Sequence, residues 1–287
     1  MHTNHDVKII ECPRDAMQGW KHFIPAQQKI AYLNTLLKVG FDTLDFGSFV
    51  SPRAIPQMAD TADVLRQLDL NGSSTRLLAI VANQRGAEEA LQFEEIACLG
   101  FPFSVSPTFQ QRNTNSTIEE SLQRVIAIQK LCMQKKRTLV IYISMGFGNP
   151  YGDPYNEEVV YEWVKKITDL GIHIISLADT VGLATPAEVQ RMTRHLVDQF
   201  RNAEIGVHLH SSPDNRVEKI RAAFNAGCRR FDGAINGIGG CPMADDKLVG
   251  NMDTVEMVHY FESIGMKTNI NEQALSEAML MANRIFV

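Results

Sequence analysis

Apolar residues along this chain fall into short runs, each followed by a stretch of helical spacing. The runs occupy residues 7–11, 43–46, 77–81, 101–105, 138–144, 173–177, 205–210 and 230–235. Each is rich in Ile, Val, Leu or Phe, which predicts the strands of a parallel sheet buried on both faces. Helix signals lie between them. Ser116 with Glu119 reads as a capping box, and Leu122, Val125, Ile126 and Ile128 follow near helical period. Thr185-Pro186-Ala187-Glu188 is a second start, with proline at the first helical position. Gly40, Gly100, Gly171 and Gly227 are expected to close helices before the next strand.

Eight strand and helix alternations predict a TIM (β/α)8 barrel, one domain over residues 1–287. The rival is a doubly wound open sheet, which often carries a Gly-rich phosphate turn after its first strand. Here Glu11-Cys12-Pro13-Arg14-Asp15 stands at that place, with no GxGxxG. The barrel is preferred.

Composition narrows the function classes. A net charge of -5 and the absence of a basic run argue against nucleic-acid binding. No apolar run approaches the roughly 20 residues that span a bilayer, so no membrane partner is expected. The polar start lacks the apolar stretch of a signal peptide. Cys12, Cys98, Cys132, Cys228 and Cys241 are odd in number and without CxxC spacing. Neither a disulfide framework nor a structural zinc site is expected, and a reducing cytoplasmic location fits best.

Active sites of such barrels sit at the C-terminal ends of the strands. Arg14-Asp15 follows the first strand. Asp45 and Ser48 belong to the second, Asp179-Thr180 end the sixth, and His208-Leu209-His210 the seventh. The eighth leads into Gly239-Gly240-Cys241-Pro242 and then Asn251. Residues i and i+2 of a strand point the same way, so His208 and His210 can grip one ion. Adding Asp15 and Asn251 gives two imidazoles, a carboxylate and an amide oxygen. That set suits Mg²⁺ or Mn²⁺ better than a closed tetrahedral zinc.

The chain resembles the hydroxymethylglutaryl-CoA lyases of the DRE-TIM metallolyase superfamily along nearly its whole length. The likeness is carried by Pro13-Arg14-Asp15 with Gln18, Ser48-Phe49-Val50-Ser51-Pro52, Ile55-Pro56-Gln57-Met58, and residues 116–123 (STIEESLQ). Residues 176–186 (SLADTVGLATP), Val207-His208-Leu209-His210 and Gly239-Gly240-Cys241-Pro242 complete it. The resemblance implies retro-Claisen cleavage of 3-hydroxy-3-methylglutaryl-CoA to acetoacetate and acetyl-CoA. It implies Asp15, His208, His210 and Asn251 as metal ligands, with Asp15 or His210 relaying the proton of the tertiary hydroxyl. Arg14 would stabilise the enolate, and Cys241 would protonate it. Gln18, Lys21, Asp179 and Thr180 join Arg14 as expected substrate contacts, although Lys21 also reads as a solvated charge and Asp179 as a cap or support. Asp45 and Glu11 read as polar barrel residues that orient Arg14 or a ligand. An acyl-CoA is the expected partner, with a homodimer as the assembly to check.

Some positions depart from the family pattern. Ala16-Met17 replace Gly-Leu, Asp45 replaces Glu, and Ser211-Ser212 replace Asp-Thr after the second histidine. Two other functions compete with the lyase. One is a related synthase condensing acetyl-CoA with a 2-oxo acid, which carries a different loop in place of Gly-Gly-Cys-Pro. The other is a barrel that has lost catalysis and serves as a binding protein.

Overall fold

The structure, a computed structural model, describes residues 6–240 and 249–287. Its strands are β1 (Lys8–Glu11), β2 (Thr43–Ser48), β3 (Arg76–Ile80), β4 (Ile96–Ser104), β5 (Thr138–Ser144), β6 (Ile174–Asp179), β7 (Glu204–Leu209) and β8 (Arg230–Gly233). Each pairs in parallel with the next, and β1 pairs with β8, so the barrel closes. The predicted TIM barrel is the observed fold.

The helices that cover or cap it are α1 (Pro13–Gln18), α2 (Ala26–Leu36), α3 (Thr61–Leu65), α4 (Gln84–Ala90), α5 (Pro107–Thr114) and α6 (Ile118–Lys135). They continue with α7 (Glu157–Thr168), α8 (Pro186–Gln199), α9 (Arg216–Asn225), α10 (Thr254–Ser263) and α11 (Glu272–Ile285). Among the described residues, no helix is long and apolar enough to cross a membrane.

The strand period of two separates an outer layer from an inner one. Leu77, Ala79, Leu99, Phe101, Ile141, Ile143, Ile175 and Val207 join the large core between sheet and helices. Leu78, Ile80, Cys98, Val140, Tyr142 and Ile174 form a separate cluster on the other face of the strands, inside the barrel. Toward β7 and β8 the interior turns polar, with Ser176, His208 and Asp232 in contact.

Three local expectations are corrected. Strand β4 begins at Ile96, not at residue 101, so Gly100 lies within a strand instead of closing a helix. A Cβ there would come 2.5 Å from Ile80 Cδ1 and 3.0 Å from Tyr142 Cε2, so a larger residue would require these interior side chains to shift. The capping box of α6 is Thr117 with Glu120, not Ser116 with Glu119. Ser116 is buried instead, bonded to Gln110 and Thr114. Strand β8 stops at Gly233, and residues 235–237 form a 3-10 turn in place of the predicted strand end. The helix start at Thr185-Pro186 and the helix-closing Gly40, Gly171 and Gly227, these glycines all at positive φ, stand as read, and the start also carries a capping box between Thr185 and Glu188.

Candidate active site

Strand β1 runs directly into α1, whose first turn holds Arg14 and Asp15 at the C-terminal mouth of the barrel. Both are buried, at 8% and 7% exposure, so their charges must be met by the protein. Asp45 meets Arg14 from β2. Its oxygens accept from Arg14 Nε at 3.0 Å and Nη2 at 2.5 Å. The register of β2 against β3 shifts between Asp45 and Gly47, an irregularity beside the residue that holds Arg14. Arg14 Nη1 donates to Asp15 Oδ1 at 3.0 Å. Burial works against the guanidinium's charge, but Asp45 and Asp15 outweigh it and keep Arg14 fully protonated. Burial also pushes the Asp45 carboxyl up to about 6, against Arg14, which leaves the pair ionised at neutral pH.

Asp15 joins Arg14 to the metal-ligating candidates. Its Oδ1 also accepts from Gln18 at 2.7 Å, and its Oδ2 from Asn251 Nδ2 at 2.7 Å. Burial alone would raise this carboxyl; Arg14, His208 and His210 hold it below the usual carboxylate range. Asn251 reaches the mouth because it pairs with His210 in an isolated antiparallel bridge. Its Nδ2 donates to Asp15 and to the Ile238 carbonyl, while its Oδ1 is buried with no partner. Gly239 makes this approach feasible. Its φ is +101°, and a Cβ would lie 2.6 Å from Asn251 Nδ2 and 3.0 Å from the Asp15 carbonyl.

His208 and His210 present their rings side by side, with centroids 5.4 Å apart. Each has one nitrogen engaged: His208 Nδ1 lies 3.3 Å from Asp232 Oδ2, and His210 Nδ1 lies 2.9 Å from the Val249 carbonyl. Such partners fix the tautomer and leave Nε2 as the ligating atom. Burial lowers the proton affinity of both rings. The Asp232 bond reverses this for His208, whereas the neighbouring His208 charge lowers His210 further. The residues fit a divalent cation at Asp15, His208, His210 and Asn251, since the unpartnered Asn251 Oδ1 is an acceptor that only a cation or a donor would satisfy.

The other expected site residues are placed as follows. Gln18 touches Asp15, and Lys21 is exposed beyond the end of α1. Asp179 is buried and tied up. Its Oδ2 accepts from Lys219 Nζ at 2.7 Å and its Oδ1 from the Ala184 amide at 3.2 Å. Thr180 Oγ1 accepts from the Met145 amide at 2.8 Å. Glu11 does not touch Arg14 or a histidine; it accepts from the Ile235 amide and Thr254 Oγ1, joining β1 to the chain around β8. Burial pushes its carboxyl up to about 8. Cys241 lies outside the described residues.

Sequence reasoning missed three neighbours. Lys219 of α9 donates to the His210 carbonyl at 2.8 Å as well as to Asp179. Asp232 is the in-register partner of His208 across β7 and β8, so strand pairing could have found it. Cys12, His208 and Asp232 bring ligand-type atoms within 4.8 Å of one another, a buried cluster able to coordinate a metal ion. Asp15 and His210 are not part of that group.

Charged and ligand-type side chains gathered at the C-terminal mouth of a closed parallel barrel are the arrangement of a metal-dependent barrel enzyme. The chain belongs to the HMGL-like family, whose model matches residues 6–281, and so to the DRE-TIM metallolyases. It is 32% identical to mouse mitochondrial hydroxymethylglutaryl-CoA lyase over 275 residues, 95% of this chain and 83% of that protein. It is 30% identical to the human cytoplasmic 3-hydroxy-3-methylglutaryl-CoA lyase, over 95% of this chain and 73% of the relative. Among solved structures, a hydroxymethylglutaryl-CoA lyase from Acinetobacter baumannii, in complex with coenzyme A and 3-methylmalate, superposes with a TM-score of 0.91. The two are 29% identical, with 100% of this chain and 93% of that one covered.

Proposed function

We propose that the chain cleaves 3-hydroxy-3-methylglutaryl-CoA, or a close analogue, to acetoacetate and acetyl-CoA with Mg²⁺ or Mn²⁺ held by Asp15, His208, His210 and Asn251. The observation that carries this reading is the unbroken chain of contacts from Arg14 through Asp15 to Asn251 and His210, ending on an amide oxygen with no partner. A divalent cation there supplies positive charge that orients the substrate and acidifies its hydroxyl. Asp15, which Arg14 and the histidines keep ionised, is the group able to take the hydroxyl proton, since His210 has Nδ1 on the Val249 carbonyl and its other nitrogen on the cation. The bond between C2 and C3 then breaks, leaving the ketone of acetoacetate and the enolate of acetyl-CoA. Arg14, fixed by Asp45, presents permanent charge to the enolate oxygen. Cys241, next in the sequence after Gly239-Gly240, is the proposed donor of the proton that completes acetyl-CoA. A coenzyme A thioester is the proposed partner, in keeping with the coenzyme A bound by the Acinetobacter protein. A cytoplasmic location is part of the proposal, and the four described cysteines, all buried and free, accord with a reducing compartment.

Replacing His208 and His210 together by alanine tests the ligand set. The double variant should keep its circular dichroism, bind Mn²⁺ at least about tenfold more weakly by calorimetry, and turn over no substrate. Wild-type Mn²⁺ affinity in that variant would refute the assignment.

A further inference from the structure

Below the mouth lies a second group of donors that the proposed reaction leaves unused. Cys12 follows β1 and is fully buried, and Asp232 of β8 is 2% exposed. Asp232 Oδ2 contacts Ser176 Oγ and His208 Nδ1, each at 3.3 Å, but its Oδ1 has no partner. Tyr142 Oη is buried without a hydrogen bond as well, and its ring stands edge-on to His208 with centroids 5.8 Å apart. A buried carboxylate oxygen left unmatched is destabilising, and a bound cation relieves it.

We propose that Cys12, His208 and Asp232 form a second, thiophilic cation site that takes Zn²⁺ or a similar ion and competes with the catalytic cation for His208. The competition rests on the metal-lyase reading; the existence of the site does not. A thiolate, an imidazole and a carboxylate suit zinc or cadmium, whereas Mg²⁺ and Mn²⁺ prefer the oxygen-rich set above. Zinc bonds of about 2.0–2.3 Å place tetrahedral ligands roughly 3.3–3.8 Å apart. Ligand atoms now within 4.8 Å of one another therefore need to draw in by roughly 1 Å. Tyr142 or water completes the fourth position.

Binding replaces the Cys12 thiol proton, which leaves to solvent as the metal–sulfur bond forms. The ion takes His208 Nδ1, the nitrogen that faces Asp232, and displaces that hydrogen bond. The neutral ring then carries its remaining proton on Nε2 and can no longer ligate at the mouth. One imidazole thus serves either site, not both at once.

Cadmium is the probe, because its bond to a thiolate gives an ultraviolet charge-transfer band. Titrating the full, chelator-treated chain should produce a band that the Cys12→Ser protein lacks. Asp232→Asn should need at least about tenfold more Cd²⁺ to reach it. No band in the wild type, or an undiminished one in Cys12→Ser, overturns the site. Asp232→Asn decides the matter independently if the serine variant does not fold, since an unchanged midpoint also overturns it. In Mn²⁺-supported turnover, Cys12→Ser should keep its basal rate and require at least about tenfold more Zn²⁺ for half inhibition. Equal inhibition of both proteins overturns the competition. A chain without lyase activity leaves the cadmium result standing and overturns only the reading of the mouth.

Discussion

Arg14 is held from two sides, by Asp45 through Nε and Nη2 and by Asp15 through Nη1. Lysine keeps the charge at this position but cannot meet both carboxylates with one planar fork. Arg14→Lys should therefore lower kcat by about 10²–10³, typical for the loss of an oxyanion donor, with a smaller change in KM. Steady-state kinetics on both proteins check this, and an unchanged kcat with a raised KM would make Arg14 a binding residue only. The histidine pair and Arg14-Asp15 were readable in the sequence because spacing along one strand, or position just after one, says where a side chain points. Asp232 and Cys12 were harder. Asp232 meets His208 only through the pairing of β7 with β8, and Cys12 reaches them only because the first strand closes on the last. Contacts across barrel closure leave no local spacing to read.

At the level of elements, the site depends on how β6, β7 and α9 are fastened. Lys219, fully buried, links the Asp179 carboxylate at the end of β6 to the His210 carbonyl just past β7. Removing one member of such a pair strands a buried charge, which costs about 3–5 kcal/mol. Lys219→Met should lower the unfolding free energy by that amount in urea titration, and adding Asp179→Leu should restore part of it. A loss below about 1 kcal/mol would contradict a structural role for the pair. Asp179 illustrates what residue type alone leaves open. The sequence offers a substrate contact or a supporting role, and the structure bonds the carboxylate to the lysine forty residues later and to the Ala184 amide. The capping box of α6 slipped by one residue for a similar reason. Ser116 and Thr117 both suit an N-cap, and the choice falls to Thr117 because Ser116 is buried against Gln110.

For the whole molecule, hydrophobic periodicity sufficed to foresee the closed barrel, because eight buried parallel strands leave an apolar run for each turn of the fold. Direction of reaction is a different matter. The proposed ligands and Arg14 do not by themselves set the direction, and family membership favours cleavage. The decisive measurement is a coupled assay of the purified, chelator-treated chain with 3-hydroxy-3-methylglutaryl-CoA, before and after addition of Mn²⁺, following acetyl-CoA and acetoacetate together. The account predicts equal amounts of both products, only with the cation, and none from the His208→Ala, His210→Ala protein. A folded, Mn²⁺-binding wild type that releases neither product, yet condenses acetyl-CoA with a 2-oxo acid, would contradict it.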